Sequence, residues 1–315
     1  MSFDAVQDQI VELLSDNEEQ QFIFLTGAAG TGKTTLLERV KNQLSSKKIV
    51  VAPTGIAALN IGGTTINSAF RIGFETIPVI TKSKDPRFAK LLKNLELLII
   101  DEVSMVRAPM LDAISQSLQI YKKSTEPFGG IHVLACGDLF QLPPVVKQHE
   151  EREIYDRYDS IYFFDALSFK EVKNVKYFQL DKSFRQEEDE GFYELLNNIR
   201  IGSDLEKTIN KINSQCFDPT LESDAYMTLT SRKNRAEELN NHKLTYLDSP
   251  EEIIKSKEFG DLNENDLPAP RELKIKQGAS VMFIKNDSEG RWVNGTLGTV
   301  SECLDKKKKC IKVKI

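Results

Sequence analysis

Residues 27–34 have the types and spacing of a loop that binds the phosphates of a nucleoside triphosphate. Small residues let the main chain approach the phosphates, and the amides of the loop and of the following helix point at the negative charge. Lys33 can reach the terminal phosphates, and the hydroxyl of Thr34 can ligate Mg²⁺. The predicted nucleotide-binding residues of this segment are Gly27, Ala28, Gly30, Thr31, Gly32, Lys33, Thr34 and Thr35.

The alternative is a glycine-rich turn between a strand and a helix that contains a lysine by chance. The apolar run at 22–25 predicts a buried strand directly before the loop, and residues 35–44 are typical of a helix. A phosphate-binding loop requires this context on both sides. The sequence therefore favours a nucleotide site that uses Mg²⁺.

Two adjacent acids, Asp101 and Glu102, follow the apolar run at 97–100 and so stand at the end of a predicted strand. The first carboxylate can hold the Mg²⁺ shell, and the second can polarise an attacking water molecule. We expect the strand that carries them to lie beside the strand that feeds the glycine-rich loop. Asp101 would then face Thr34 across the metal.

Two further side chains could act on the γ-phosphate. Gln141 follows another apolar strand, and its amide can both donate to a phosphate and accept from water. A Gly-Asp turn braced by prolines would explain the backbone of this segment but not the glutamine. Arg185 stands where a second domain is predicted to begin and could neutralise charge on the transferred phosphoryl group. For an isolated arginine a surface salt bridge is the favoured interpretation, so the assignment of Arg185 depends on the family resemblance given below.

Length and composition indicate a globular chain of about two domains, with 315 residues and a hydrophobic fraction of 40%. The net charge of −5 argues against a surface coated with nonspecific nucleic-acid affinity, but a narrow groove could still hold one strand. The lysine run at 306–309 could bind phosphates, although a solvated hairpin tip is the favoured interpretation. The four cysteines lack metal-ligand spacing, which predicts reduced thiols.

No secretion signal or membrane span is recognisable, so we expect no membrane partner and a cytoplasmic location, associated with the nucleoid if the source is bacterial. Apolar runs at 22–25, 49–52, 97–100, 132–136 and 176–180 alternate with helical stretches. This alternation predicts an α/β fold with a parallel sheet, which binds ligands at the carboxyl ends of its strands.

The acidic run at 187–190 and the helix predicted at 192–199 mark the start of a second domain, which continues with a strand at 225–230 and a helix at 234–247. Short strands separated by polar turns then predict a small antiparallel sheet or barrel. The predicted domains are residues 1–178, 179–272 and 273–315.

Six segments resemble, in order and spacing, the petite-integration-frequency (PIF) helicases, which are RecD-like members of helicase superfamily one. These segments are 27–34, 52–58, 101–105, 127–130, 137–145 and 183–186, and the resemblance extends through 278–282 and 293–298. It implies two RecA-like domains, the second incomplete here, with part of a small SH3-like β-barrel at 273–315. The segment at about 71–93 would be a small wedge inserted in the first domain.

The resemblance implies a monomeric, ATP-driven motor that moves 5′ to 3′ on single-stranded DNA and splits duplexes at junctions with single strands. Several members of the family also open DNA:RNA hybrids or G-quadruplexes, so the resemblance extends this expectation to the present chain. By position, Lys33, Asp101, Glu102, Gln141 and Arg185 would be catalytic, with Thr34 and Asp101 on Mg²⁺. Gln7 would read the adenine of ATP, with Gln9 as the alternative. The implied DNA-binding residues are Pro53, Thr54, Thr65, Asn67, Ser68, Phe70, Thr230, Ser231 and Asn234.

Some features leave alternatives open. Asn67 stands where the family has a histidine, and Phe70 could be a core residue instead of a base-stacking platform. The family's later motifs, including an arginine from the second domain, are not found, which predicts a truncated chain or a partner polypeptide. The rival function is a nucleotide-dependent module that clamps or loads single-stranded DNA without unwinding. A small-molecule kinase is disfavoured because it needs neither Gln141 nor Arg185.

Overall fold

A computed structural model describes residues 2–16, 19–44, 47–181, 190–218, 228–256, 269–285, 287, 289–292, 294–305 and 310–315. The chain divides into two compact units, Met1–Cys216 and Phe217–Ile315. The domain boundaries predicted from the sequence stay predictions. No helix in the described part of the chain combines the length and apolar character needed to cross a membrane.

The first unit is built on a parallel sheet whose strand order is β3-β2-β4-β5-β1-β6. The strands are β1 (Phe22–Gly27), β2 (Lys48–Ala52), β3 (Thr64–Thr65), β4 (Leu97–Ile100), β5 (His132–Cys136) and β6 (Val175–Leu180). Each described pairing within this sheet is parallel, so the carboxyl ends of all the strands meet at one edge. This confirms the predicted α/β sheet.

The expected adjacency of β1 and β4 is wrong, because β5 lies between them. Phe22 of β1 is paired with Val133 of β5, and Leu98 of β4 is paired with the same Val133 from the other side. Local sequence patterns identify strands but carry no information on which strand a crossover places next to which. The acid pair is therefore two strands away from the phosphate loop.

Helices cover both faces of the sheet. The helices of the first unit are α1 (Phe3–Ser15), α2 (Lys33–Gln43), α3 (Gly55–Asn60), α4 (Ile66–Phe70), α5 (Pro86–Asn94), α6 (Ala108–Lys122), α7 (Gln148–Tyr155), α8 (Leu167–Lys170), α9 (Glu190–Ile201) and α10 (Leu205–Cys216).

Alternate residues of β1 divide between the two faces. Ile23 and Leu25 pack with α1 and α2, whereas Phe22 and Phe24 belong to the larger cluster that contains α6. Phe22 and Phe24 are at most 5% exposed. A strand buried on both faces in this way reads as a continuous apolar run, which is why its position could be predicted.

The predicted wedge segment begins at Arg71, which ends α4 with φ of 56°. The chain then continues without regular structure to Asp85, which caps the first turn of α5 with a hydrogen bond from the Arg87 amide. Arg71 holds the two ends of this segment together, because its guanidinium lies 2.7 Å from the Asp85 carboxylate and 4.4 Å from the centroid of the Phe88 ring. The function of this segment as a wedge stays a prediction.

The second unit contains α11 (Lys233–Thr245), an antiparallel pair β7 (Glu252–Lys255) and β8 (Glu272–Ile275), and an antiparallel sheet of β9 (Ser280–Met282), β10 (Leu297–Asp305) and β11 (Cys310–Lys314). Ile275, Ala279 and Val300 form a small core. The predicted antiparallel strands are present, whereas closure into an SH3-like barrel stays a prediction. Of the strand expected at 225–230, residues 225–227 lie outside the described residues, and residues 228–230 are described without strand structure, so the expectation is wrong for them. The lysine run at 306–309 lies outside the described residues.

Candidate nucleotide site and nucleic-acid interface

The phosphate loop connects β1 directly to α2. Gly30 and Gly32 have φ of 80° and 86°, left-handed values that favour glycine. Such alternation turns successive amides toward one concave space, which is suited to an anion. Lys33 is half-buried, and its ammonium donates to the carbonyl oxygens of Gly27 at 2.7 Å and Ala28 at 2.9 Å. The lysine therefore folds back over its own loop.

Gly27 is required by the close approach of β6. A Cβ at this position would lie 2.6 Å from the Leu180 carbonyl oxygen and 2.7 Å from Oγ1 of Thr31. The Thr31 hydroxyl donates to the Ala28 carbonyl at 2.9 Å and braces the loop from within. Thr34 and Thr35 are exposed at the start of α2, where hydroxyl groups can reach a ligand.

The acid pair lies at the carboxyl end of β4. Asp101 is buried and accepts a hydrogen bond from the Glu102 amide at 2.9 Å. Glu102 adopts φ of 50° and ψ of 42°, a left-handed conformation that is uncommon outside glycine and is found at functional sites.

Burial raises the pKa of Asp101, while hydrogen bonds from the Glu102 amide and the Cys136 thiol and the charge of Lys33 oppose the rise. Burial and the Asp101 carboxylate likewise raise the pKa of Glu102, again opposed by Lys33. Lys33 is thus close enough to act on both acids, although β5 separates their strands. A more basic carboxylate is better suited to accept a proton from water.

The loop between β5 and α7, residues 137–147, carries Gln141, the predicted sensor of the γ-phosphate, and is called the sensor loop below. Gln141 is exposed, and its Nε2 donates to Oδ2 of Asp138 at 3.1 Å. Asp138 is 1% exposed, and it receives two further hydrogen bonds of 2.9 Å from Nε and Nη2 of Arg200 in α9. Burial alone would raise the pKa of Asp138, but the hydrogen bonds from Arg200, Gln141 and the Phe140 amide outweigh it and lower that pKa.

Arg200 was not identified from the sequence. It stands in the last turn of α9 and is separated from Asp138 by 62 positions, so no local spacing connects the two. Arg185, the arginine predicted to neutralise the phosphoryl group, lies outside the described residues together with the rest of 182–189. Its role stays a prediction.

The oxygen donors fit Mg²⁺ held jointly with phosphates. Thr34 and Asp101 supply one hydroxyl and one carboxylate, hard ligands of the kind Mg²⁺ prefers. Within the described ranges, no three His, Cys, Asp or Glu side chains are grouped so that they could hold a metal by themselves. Mg²⁺ commonly keeps waters and substrate phosphates as its remaining ligands, so two protein ligands suffice.

Gln7 is buried between α1 and α2. Its Nε2 donates to Oε1 of Gln43 at 3.1 Å, and its Oε1 accepts from Arg39 at 3.4 Å. Gln9 is exposed on the same helix. Adenine recognition by Gln7 would require its amide to exchange these partners, and the choice between the two glutamines stays a prediction.

The predicted DNA contacts of the first unit follow β2 and β3, at the same sheet edge as the phosphate loop. Oγ1 of Thr54 accepts from the Ala57 amide at 3.2 Å and caps α3. Oγ1 of Thr65 accepts from the Ser68 amide at 3.3 Å and donates to the Ser68 hydroxyl at 2.9 Å. Pro53 and Thr65 are half-buried, and Ser68 is exposed.

The placement of Phe70 contradicts its predicted stacking on a base. The ring is 3% exposed and lies in the core with Ile66, four positions earlier on the same face of α4. This spacing is the ordinary signature of a buried helical face. Asn67 is also engaged within the fold, because its Nδ2 donates to the carbonyls of Ile72 at 3.1 Å and Gly73 at 2.9 Å.

The remaining DNA candidates, Thr230, Ser231 and Asn234, are exposed in the second unit. Oγ1 of Thr230 accepts from the Arg232 amide at 3.3 Å, and Oδ1 of Asn234 accepts from the Arg235 amide at 2.9 Å. These local bonds fix the start of α11. DNA binding by the three residues stays a prediction.

The model of the family described as PIF1-like helicase matches residues 2–210. The chain is similar to the ATP-dependent DNA helicase PIF1 of Saccharomyces cerevisiae, with 33% identity covering 95% of this chain and 35% of that protein. It is also similar to Pif1 of Bdellovibrio bacteriovorus, with 33% identity covering 93% of this chain and 66% of that protein. The chain thus spans less than two thirds of these curated relatives.

Among solved structures, the chain is similar to a Pif1 helicase from Bacteroides in complex with ADP-AlF3 and single-stranded DNA. The TM-score is 0.84 at 37% identity, covering 99% of this chain and 72% of that one. The matched family segment includes the phosphate loop, the acid pair and the sensor loop. The chain belongs to the PIF1-like helicase family.

Proposed function

We propose that this protein is an ATP-dependent DNA helicase that hydrolyses ATP with Mg²⁺ and moves along single-stranded DNA. One observation carries the proposal. The phosphate loop follows β1, the acid pair follows β4 and the sensor loop follows β5, and these three strands are neighbours in one parallel sheet. Their carboxyl ends lie at one edge, which supports a single site of the kind a nucleoside triphosphatase needs.

Each group has a distinct task in this proposal. The loop amides and Lys33 bind the β- and γ-phosphates, and Thr34 and Asp101 hold Mg²⁺, which neutralises phosphate charge. Glu102 takes a proton from the attacking water, and Gln141 senses the γ-phosphate. Arg185 is proposed to stabilise the charge of the phosphoryl group in the transition state.

Single-stranded DNA is proposed to lie along the β2–β3 end of the same edge. Pro53, Thr54, Thr65 and Ser68 offer an apolar surface and hydroxyl groups that can contact a sugar-phosphate backbone. Two strands, β4 and β5, separate this end from β1, so one sheet presents nucleotide and DNA at different places on one edge. Such contacts need few lysines, which agrees with the net charge of −5.

The proposed 5′-to-3′ polarity, and activity on junctions, G-quadruplexes and DNA:RNA hybrids, rest on family resemblance. Strand displacement from duplexes with a 5′ tail, a 3′ tail or no tail tests the polarity, since a 5′-to-3′ motor requires the 5′ tail. A tailed DNA:RNA hybrid and a folded G-quadruplex test the wider substrate range. Light scattering with and without DNA tests the proposed monomeric state.

The central experiment measures ATP hydrolysis by the wild type and by Lys33→Ala, with and without a single-stranded oligonucleotide. We expect the oligonucleotide to stimulate the wild type and the variant to lose at least about a hundredfold in rate. Lys173→Ala, at an exposed lysine before β6, is the matched control and should keep the wild-type rate. Stimulated hydrolysis and DNA binding without strand displacement would instead indicate the clamp or loader. Unchanged hydrolysis in Lys33→Ala would refute the proposed site.

A further inference from the structure

The charge pair between Asp138 and Arg200 joins the sensor loop to α9. The guanidinium donates to both carboxylate oxygens, from Nε to Oδ2 and from Nη2 to Oδ1, each at 2.9 Å. It also stacks 4.6 Å from the ring of Phe140 in the same loop. Arg200 is thus held by two parallel hydrogen bonds and an aromatic face, a geometry that a lysine cannot reproduce.

The same carboxylate also orients the sensor. Oδ2 of Asp138 accepts from Nε2 of Gln141 at 3.1 Å as well as from Arg200, and Oδ1 accepts from the Phe140 amide at 3.2 Å. The position of the Gln141 amide therefore depends on an oxygen whose place is set by Arg200. Asp138 is 1% exposed, so removal of the guanidinium takes two hydrogen bonds from a buried carboxylate.

We propose that Arg200 is a positioning residue: it fixes the Asp138 oxygen to which the Gln141 amide donates, and thereby couples α9 to the loop that senses the γ-phosphate. This inference rests on the proposed ATP hydrolysis only for the role of Gln141. When Gln141 turns toward a γ-phosphate, it must leave Oδ2, and the Asp138–Arg200 pair carries that change to α9.

The coupling has a kinetic signature. Lys33 and the loop amides, which are proposed to bind ATP in the ground state, are untouched by changes at Arg200. Loss of sensor alignment should therefore reduce kcat and leave KM for ATP nearly unchanged. We expect Arg200→Ala to lower the DNA-stimulated kcat by about tenfold to a hundredfold, the range for losing a charged hydrogen-bond partner. KM should change by less than about twofold.

Variants distinguish positioning from a general loss of structure. Arg200→Lys, which keeps the charge but not the paired hydrogen bonds, should recover part of the lost kcat. Asp138→Asn should resemble Arg200→Ala, and the double variant should be no slower than the slower single variant, because the two residues act as a unit. Arg157→Ala, at an exposed arginine, should keep the wild-type kcat. A wild-type kcat in Arg200→Ala, or additive losses in the double variant, would overturn the inference.

Hydrogen exchange tests the coupling without catalysis. A non-hydrolysable ATP analogue with Mg²⁺ should change amide exchange in both α2 and α9 of the wild type. In Arg200→Ala the change in α2 should persist, showing that the analogue binds, and the change in α9 should disappear. An α9 that ignores the analogue in the wild type, or responds equally in the variant, would refute the coupling. Absence of wild-type ATP hydrolysis would refute the proposed function alone, since this measurement would still decide the inference.

Discussion

Arg107 and Glu150 form an ion pair of 3.2 Å in which the two side chains are only 14% and 11% exposed. Arg107 follows the turn that carries the acid pair, and Glu150 lies in the first turn of α7, the helix after the sensor loop. Glu150 also accepts from Thr76 at 3.4 Å and from the Lys147 amide at 2.8 Å. One carboxylate thus connects the segments that follow the acid pair and the sensor loop to the predicted wedge segment.

Replacing Glu150 by Gln should destabilise the first unit. The change leaves the mostly buried Arg107 cation without its counter-charge, and we expect a loss of about 2–3 kcal/mol in the free energy of unfolding. Urea denaturation measures the loss. The double variant Arg107→Met with Glu150→Leu should recover much of it, since no unpaired charge remains.

The exposed pair of Lys170 and Asp159 provides the control. These side chains are 43% and 82% exposed, and exposed pairs contribute little because water screens them. Asp159→Asn should leave the denaturation midpoint unchanged. Equal effects of the exposed and the buried substitution would contradict the assigned importance of Glu150.

Cys136 should tune the affinity for Mg²⁺. Its thiol is fully buried beside Asp101, the proposed metal ligand, and as a hydrogen-bond donor it lowers the pKa of that carboxyl against the effect of burial. Removing a hydrogen-bond donor from a metal ligand typically weakens metal binding by about tenfold or more. We expect Cys136→Ala to raise the Mg²⁺ concentration for half-maximal ATP hydrolysis by about tenfold. Cys136→Ser keeps a donor and should stay near the wild type; identical behaviour of the two variants would disprove the role.

Gly137 should be sensitive to substitution because it lies where two turns are in close contact. A Cβ there would lie 3.0 Å from the Ser104 amide nitrogen and 3.1 Å from both the amide nitrogen and Cγ1 of Val103. Gly137→Ala must therefore push the turn after the acid pair away from the sensor loop, at a cost of about 1–3 kcal/mol. We expect lower kcat together with lower stability, measured by ATP hydrolysis and urea denaturation.

Gly290 is the control for loss of a glycine as such. It has φ of 75°, and no atom lies within 4 Å of an added Cβ. Gly290→Ala strains the backbone without displacing a neighbour, so kcat should persist. A normal kcat in Gly137→Ala would show that the two turns need not be in close contact.

Local patterns predicted β1, β4 and β5 well because each of these strands contains a continuous apolar run, whereas β3 consists of two threonines and was not predicted. The predicted strands at 97–100 and 132–136 have the observed bounds of β4 and β5. The helix expected at 192–199 is present as Glu190–Ile201. Strand order could not be obtained this way, since the placement of β5 between β1 and β4 depends on how crossovers pack over the whole sheet.

The site residues show the same contrast between local patterns, which could be predicted, and long-range contacts, which could not. Lys33, Asp101 and Gln141 belong to short segments whose residue types and spacing indicate their chemistry. The structure places these segments after the neighbouring strands β1, β4 and β5. Arg200 acts on Asp138 across 62 positions, a relationship that no local pattern contains. Phe70 was predicted on a DNA surface by family position, although its spacing of four from Ile66 already indicated a buried face.

His132 should make the stability of the first unit depend on pH. It is 7% exposed, and its Nδ1 accepts a hydrogen bond from the Gln21 amide at 3.1 Å. Burial lowers its pKa from the ordinary value of 6.5. Below pH 6.5 the unfolded chain binds a proton that the folded chain resists, so the unfolding free energy should fall as pH decreases toward the folded-state pKa of His132.

His132→Asn keeps a hydrogen-bond acceptor without titrating, so it should flatten this pH dependence in urea denaturation between about pH 7.5 and 5. His149→Asn, at an exposed histidine, is the control and should retain the pH dependence. An unchanged pH dependence in His132→Asn would show that another group is responsible.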